Sequence, residues 1–377
     1  MVARRILHVF STFDHGGAEA RTVRLMQHFG DEAQHEVLVP VRSAMGACKA
    51  IGPEITASFP EDPARLVLGR PGLRRYWRLA QHMRGFDLVL TYSWGAMDAV
   101  MAHRLFARLL RLPRLVHHED GFNEDEVGAR FGLRDGFRRI ALQGAAALVI
   151  PSRTLETVAR QRWHVPGSKL ARISNGIDTA AYRKAPQIGA LPGLVRREGE
   201  VVVGTVAGLR AVKNLSRLVR AVAAAGPNIR LFIAGEGPDR AAIEAEARRL
   251  GVADRVHLPG FLPDPARYIG HFDIFALSSD SEQFPIALAE AMAAGLPVVS
   301  TDVGDVAAMI AASGREFVVP RGDEAALSAA VARLAADPAL RARLGADNAE
   351  LAQSAFDEAA MFAEYRRIYG IDPKTAD

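Results

Sequence analysis

Two carboxylates, Glu282 and Glu290, stand seven residues apart in the stretch SSDSEQFPIALAEAMAAGLPVVSTDVGD, residues 278–305. Pro285 suits the first turn of a helix, where its missing N–H is not needed, and Gly295 followed by Pro297 makes a stop. A helix is therefore expected over about 285–294, with Glu282 in the loop entering it and Glu290 inside it. The free N–H groups near Gln283, Phe284, Pro285, Ile286 and Ala287 form a positive helix end suited to a phosphate. One turn can then hold a diphosphate between two carboxylates that accept sugar hydroxyls.

Three further stretches set chemistry at the end of an apolar run. GTVAGLRAVKNLSRLVRAV, 204–222, offers Arg210 and Lys213 just before a helix N-terminus at Asn214, two cations that suit a departing diphosphate. STFDHGGAEARTVRLM, 11–26, places Gly16 and Gly17 in a turn before a helix starting near Ala18, where a ligand can approach backbone N–H groups. LVHHEDGFN, 115–123, crowds His117, His118, Glu119 and Asp120 at one strand end, a concentration of titratable groups that marks a candidate site. The two histidines make a poor metal pair, because neighbours on a strand point to opposite faces. Each stretch also has a structural reading: solvated glutamates, surface cations, glycines serving positive φ, and satisfied core histidines.

The elements that must carry these groups repeat along the chain. Short apolar runs, ILHVF, HEVLVPV, FDLVLTY and RLVHHE, then VVVGTVA, RLFIAGEG, RVHLPG, DIFALSS, LPVVST and EFVVP, alternate with helical patterns. Such alternation predicts an α/β protein with parallel sheets covered by helices on both faces. The 377 residues exceed one ordinary core and fit two doubly wound domains. A boundary is expected near SNGID at 174–178, before an irregular stretch to about 198 with Pro186, Gly189, Pro192 and Gly193. Neither half has the G-x-G-x-x-G spacing of a dinucleotide site, since GEGPDR at 235–240 lacks the third glycine. Apolar residues at 49% and charged residues at 24% describe a folded globular chain. Its single cysteine, Cys48, is expected as a buried small hydrophobe. No targeting or membrane-spanning segment is expected, which predicts a cytoplasmic protein. The net charge of +4 is uneven: residues 1–180 carry 25 Lys and Arg against 18 Asp and Glu, the remainder 22 against 25.

Taken together the motifs resemble those of the retaining GT-B glycosyltransferases, in particular family 4 (group 1). The E-x7-E element places Glu282 toward the donor hexose and Glu290 on the ribose. GLRAVK is similar to the family's G-R-L-x-P-x-K segment, with Lys213 at the lysine position and Gly208 where the family has arginine, leaving Arg210 as the substitute. G-G-A-E matches the first loop, and HHEDG the H-x-E-H-G loop, with His117 aligned to a histidine near the donor sugar and Asp120 replacing a histidine. Where the family usually has E-G-F-G or E-G-F-P this chain has E-Q-F-P, so Gln283 bears on which donor is taken. Gly235 and Glu236 of the GEGP turn and Phe261 of LPGFLPD fall near the nucleotide, beside Phe284, Pro285 and Ile286.

The resemblance implies two Rossmann-like domains facing a central cleft. The expected division is 1–180 as the acceptor side and 181–355 as the nucleotide-sugar domain, with a helix at about 356–377 returning to the first. It implies transfer of a hexosyl group from a UDP or GDP sugar to a hydroxyl acceptor with retention, the leaving phosphate helping to deprotonate the acceptor. Lys213 and the helix end replace a metal, so no metal and no cofactor beyond the co-substrate are expected, and domain closure excludes water. The predicted catalytic residues are His117, Lys213 and Glu282; Gly16, Gly17, Arg210, Lys213, Gly235, Glu236, Phe261, Phe284, Pro285, Ile286 and Glu290 are predicted to bind the donor. LRRYWRLAQHMR (73–84) and MAHRLFARLLRLPR (101–114) interleave arginines with bulky apolar residues, which suits an anionic membrane surface and a lipid-linked acceptor in envelope or exopolysaccharide synthesis. The same arginines also suit one solvated helix face. Other readings are a GT-B epimerase or phosphorylase, a non-catalytic nucleotide-sugar-binding subunit, to which Gly208 lends weight, and a dehydrogenase, disfavoured by the missing glycine fingerprint.

Overall fold

The computed structural model describes residues 3–14, 16–40, 45–63, 66, 71–121 and 131–371. Phe122 and Asn123 of the HHEDGFN stretch, and 372–377 of the expected C-terminal helix, lie outside that set. The chain divides into two units, Met1–Ser174 with Met361–Asp377, and Asn175–Ala360. The expected boundary at 180/181 lies a few residues further along the chain. Ile177 and Tyr182 belong to the second unit's core, and Ile177 bridges to Asp357 there, so the SNGID segment is held by the second unit.

In the first unit seven parallel strands stand in the order β3-β2-β1-β4-β5-β6-β7. They are β1 (Arg4–Val9), β2 (Ala33–Leu38), β3 (Ala57–Ser58), β4 (Leu88–Tyr92), β5 (Arg114–His118), β6 (Ala147–Ile150) and β7 (Leu170–Arg172). Period-two alternation sends Ile6, Leu88 and Val116 to one face, against Met26 and Phe29 of α1 (Gly17–Phe29) and Tyr365 and Tyr369 of the C-terminal helix Glu358–Tyr369. Leu7, Val89 and Leu115 face the other way. They pack on a layer made by α2 (Leu73–Met83), α3 (Met97–Leu110), α4 (Phe131–Ala141) and α5 (Arg153–Gln161). Burial on both faces explains why these strands are continuous apolar runs. Cys48 is half-buried against this core instead of fully enclosed.

The second unit repeats the plan with six parallel strands in the order β10-β9-β8-β11-β12-β13. The strands are β8 (Val201–Val206), β9 (Ile229–Ala234), β10 (Val256–Gly260), β11 (Ile274–Leu277), β12 (Val298–Thr301) and β13 (Val318–Val319). Between and after them run α6 (Thr179–Tyr182), α7 (Leu215–Ala225), α8 (Arg240–Arg249), α9 (Ile286–Ala293), α10 (Val306–Met309), α11 (Glu324–Ala336) and α12 (Pro338–Ala355). Leu218 of α7, Ile243 of α8 and Val331 of α11 bury one sheet face; Leu288 and Met292 of α9 bury the other. Each such fully buried side chain contributes roughly 1.5–3 kcal/mol of transfer free energy. Strands β3, β6 and β7 were not expected from sequence, being two to four residues long with no readable alternation. Among the described residues no helix is long and apolar enough to cross a membrane.

Candidate functional site

In open parallel sheets ligands bind beyond the carboxyl ends of the strands where the strand order reverses. In the second unit that point lies between β8 and β11. The loops leaving these strands meet there: Lys213 Nζ donates to Glu282 Oε1 at 2.5 Å, and Ser279 Oγ donates to the same oxygen at 2.7 Å. A lattice of bonds beneath fixes the pair. Asn214, in the left-handed region at φ 45°, donates through Nδ2 to Asp280 at 2.9 Å. Arg217 pairs with Asp280 at 2.8 Å and donates to the Ser278 carbonyl, while Ser278 Oγ donates back to the Lys213 carbonyl, both at 3.0 Å. These cross-links between the two loops hold lysine and glutamate together. Arg210 lies on the same loop, exposed and without an ion pair among the described residues. A Cβ on Gly208 would sit 3.5 Å from Arg210 Nε, in ordinary contact, so the Arg210 side chain occupies the space into which a residue-208 side chain would project.

Helix α9 begins at Ile286 and ends at Ala293, one residue inside the expected span at each end, because Pro285 is the cap (φ −69°, ψ 111°) and not the first turn. The ring of Phe284 turns inward, edge-on to Phe356 at 5.4 Å, so only its backbone faces the helix entrance. Tyr182 donates its hydroxyl to Glu290 Oε1 at 2.7 Å. Burial, reinforced by the Glu290 charge, pushes the Tyr268 hydroxyl above its ordinary pKa. At Gly235, with φ 156°, a Cβ would lie 1.9 Å from the Ala207 carbonyl oxygen, so the GEGP turn packs backbone on backbone and admits glycine alone. The Glu236 carboxylate turns to solvent and pairs with Arg240 at 2.6 Å, a bond that lowers its pKa. Phe261 is 61% exposed on the loop after β10.

The corresponding point of the first unit, between β1 and β4, holds different chemistry. Gly16 caps α1 without a side-chain bond and Gly17 opens the helix. The Glu19 carboxylate folds back to 2.4 Å from where a Gly16 Cβ would stand. Burial, with the Asp120 charge adding to it, pushes Glu19 up to about 7. Arg21 grips Asp120 with two bonds, 2.6 and 2.8 Å. His117 is 0% exposed; its Nδ1 lies 2.8 Å from Thr91 Oγ1 and its Nε2 faces Glu119 at 3.9 Å. Arg138 holds Glu119 at 3.2 Å and is itself clasped between the rings of Trp94 and Trp163. His118 points to the other face, 2.8 Å from the Tyr369 hydroxyl, and burial pushes it down to about 3. Among the described residues no group of three or more His, Cys, Asp or Glu is placed to hold a metal ion.

Two family profiles account for most of this chain: "Glycosyltransferase Family 4" over residues 15–181 and "Glycosyl transferases group 1" over 192–350. The chain belongs to the family 4, group 1 glycosyltransferases. It is 29% identical to the lipopolysaccharide core biosynthesis glycosyltransferase LpsD of Rhizobium meliloti across 50% of this chain and 54% of that one. Against the 2-deoxystreptamine glucosyltransferase of Streptomyces kanamyceticus it is 27% identical across 71% of each. The chain thus spans about half the length of the first of these relatives. Among solved structures, Anabaena HepE in complex with UDP-glucose superposes with a TM-score of 0.79 at 19% identity, covering 97% of this chain and 98% of that one, a likeness of fold. The fold is GT-B.

For this family 4 glycosyltransferase, the structure pairs Lys213 with Glu282 at one unit's switch point, with Arg210 on the same loop, and sets Glu290, inside α9, against Tyr182. Gly235 shapes the neighbouring turn, while the side chains of Phe284 and Glu236 are turned away from it. Gly16 and Gly17 stand at the other unit's switch point. His117 lies beneath the β5 loop, where it shows no surface to a ligand. Sequence reasoning missed Tyr182, Ser279, Glu19 and the Arg21–Asp120 clasp. The A-A-Y of NGIDTAAY carries no chemical signal until the fold sets Tyr182 beside Glu290, 108 residues away.

Proposed function

We propose that this chain transfers a hexosyl group from a nucleoside-diphosphate sugar to a hydroxyl acceptor with retention of configuration. The observation that carries the reading is the Lys213–Glu282 pair, 2.5 Å apart at the β8/β11 switch point and braced by Ser279, Asn214 and Arg217. Lys213, Arg210 and the α9 N-terminus serve as the cations and dipole for the departing diphosphate, in place of a metal. Glu282 receives donor-sugar hydroxyls and Glu290 those of the ribose, which needs Lys213 and Tyr182 to share their carboxylates with the ligand. In the step itself the bond from the anomeric carbon to the diphosphate breaks and the bond to the acceptor oxygen forms on the same face. The acceptor proton passes to a phosphate oxygen. Gly16 and Gly17 lie on the acceptor-side unit, and His117, buried beside Thr91, is a positioning residue acting through Glu119.

The named role of LpsD in lipopolysaccharide core synthesis and the UDP-glucose held by HepE favour a UDP sugar and an envelope or exopolysaccharide acceptor, with work at the inner face of a membrane. Gly208 favours one second reading, a subunit that binds the donor without transferring it. A thermal-shift panel of UDP, GDP and ADP with their sugars tests the main reading. Stabilisation by one nucleotide class is the expected result, and no response to any of them defeats it. Donor binding without hydrolysis or transfer to any acceptor selects the second reading.

A further inference from the structure

Nine large hydrophobic side chains stand exposed among the described residues, and six of them lie on α2, α3 and α4 of the first unit: Leu73, Trp77, Leu105, Leu109, Leu133 and Ile140. Leu73 and Leu109 are each 71% exposed and Leu133 86%. These helices form one layer. Tyr76, Leu79, Met97, Val100 and Ala141 on their inner sides enter the same cluster against the sheet. Trp77 meets Phe106 edge-on at 5.2 Å, joining α2 to α3, and Gly144, just after α4, lies against the backbone of Arg104. Exposed apolar side chains concentrated on one layer of packed helices mark an interaction face.

Arginines fill the gaps between those side chains. Arg74, Arg78, Arg104, Arg108, Arg111 and Arg139 are exposed, and none shares an ion pair among the described residues. The two acids on these helices are already taken: Asp98 by Arg75 at 2.7 Å, and Asp135 by Arg162 and by the Trp163 indole N–H, the latter at 2.8 Å. Arg111 sits just past α3 in the left-handed conformation (φ 51°, ψ 51°) where glycine is usual, keeping a guanidinium at that turn. Beside it, at the C-terminal ends of α2 and α3, an open hollow of about 570 Å³ is lined by Arg4, Arg84, Arg111, Phe86 and Asp87. The Asp87 carboxylate accepts from the Arg5 backbone N–H at 2.9 Å.

We infer that the outer face of α2–α4 docks on an anionic lipid bilayer, its leucines and Trp77 entering the interface and a lipid phosphate occupying the Arg4/Arg84/Arg111 hollow. Arginine stems lie along apolar surface while their heads meet phosphates, which is the pattern here. A second copy of the chain is a poor occupant, since a symmetric contact would set the arginines of one copy against those of the other. This inference deepens the envelope-synthesis reading and rests on it only for what the acceptor is.

The test is flotation of the intact chain with vesicles of phosphatidylglycerol and phosphatidylcholine, and with phosphatidylcholine alone, at low and physiological salt. Binding to the anionic vesicles only is expected. It should fall at least tenfold in Leu109→Asp/Leu133→Asp and in Arg108→Glu/Arg111→Glu, with melting temperature and far-ultraviolet spectrum unchanged. Three results overturn the inference: no binding by the wild type; binding that follows the arginines but ignores the leucines, which is adsorption of charge alone; or a wild-type dimer that the leucine variant dissociates, which makes a second copy the occupant. Neither donor nor turnover enters the measurement. A failed flotation therefore leaves the donor site untouched, and a failed nucleotide panel leaves the docking face standing.

Discussion

The two units share a strand order, outward from β1 in one and from β8 in the other, yet they bury their polar groups to different depths. In the second unit the charged groups pair close to the surface: Lys213 with Glu282 and Arg217 with Asp280 at the β8/β11 switch point, and Arg220 with Glu324 and Glu246 between helices α7, α11 and α8. In the first unit the polar groups at the centre are enclosed: the buried pairs Arg21–Asp120 and Arg138–Glu119 stand beside a chain of histidines and tyrosines. His35 Nδ1 lies 3.0 Å from His8 Nε2, His8 Nδ1 lies 3.0 Å from the Tyr92 hydroxyl, and His118 meets Tyr369 of the C-terminal helix. Burial pushes His35 down to about 4 and holds His8 well below its ordinary value. One topology thus carries part-exposed ion pairs at the strand ends of one unit and enclosed ion pairs with neutral histidines in the other, because the strand ends, not the sheet, decide which side chains meet.

The largest expected break in this contrast is loss of the charged point itself. Lys213→Ala or Glu290→Ala should lower kcat/KM on the order of 10²- to 10³-fold, the scale of losing one preorganised charged contact. Both side chains are partly buried and paired, so the melting temperature is measured alongside turnover to separate a lost contact from a lost fold. Wild-type turnover in either variant removes the assigned role. Next in size is Arg210→Ala, expected to cost roughly 10- to 100-fold for a charge-assisted phosphate contact. Adding Gly208→Arg to that variant should restore part of the loss, because the geometry leaves room for a Cβ at 208. No recovery would separate Arg210 from the missing arginine. A smaller effect is expected of Tyr182→Phe, about five- to tenfold weaker nucleotide binding for one hydrogen bond to a carboxylate, with kcat less affected. An equal fall in kcat with unchanged KM would contradict it.

The smallest effect is on stability against pH. His8, His35 and His118 have folded pKa values below the unfolded 6.5, so their contribution is complete above pH 6.5 and is lost as pH falls toward 4 and 3. Glu19 acts against them, its raised value giving stability below about 4.5 that is lost as pH rises toward 7. In the second unit Glu246, pulled down to about 2 by bonds from Arg249 and Arg220, holds its contribution until pH drops below 4.5. All three tryptophans, Trp77, Trp94 and Trp163, lie in the first unit, so tryptophan fluorescence reports on it alone. Between pH 6.5 and 4.5 its fluorescence-detected melting temperature should fall ahead of the whole-chain circular dichroism transition. Parallel movement of the two signals would refute the contrast.

Much of the second unit's site was legible because its pieces are local. Pro285 and Gly295 bracket α9 in the sequence itself, and Lys213 precedes its helix by two residues, so helix ends and loop cations follow from turn chemistry. The ranges of α9 and of the strands β8 to β12 came within a few residues for the same reason. Strands β6 and β7 escaped because Ala147–Ile150 and Leu170–Arg172 are too short to show a period. His117 was less legible. Its place at a strand end beside acids marks a site by composition, but its full burial beside Thr91 of β4 depends on which strands lie next to β5.

The sequence by itself determined the two α/β units, the turns that end each strand, and the residue types at those turns, since these depend on periods of two and 3.6 and on glycine and proline within a few residues. Only the tertiary structure decided which of those groups pair. Lys213 and Glu282 are 69 residues apart in the chain, and Tyr182 and Glu290 are 108 apart. Such contacts are set by strand order in the sheet, where β8 lies beside β11, and a linear pattern carries no record of that adjacency.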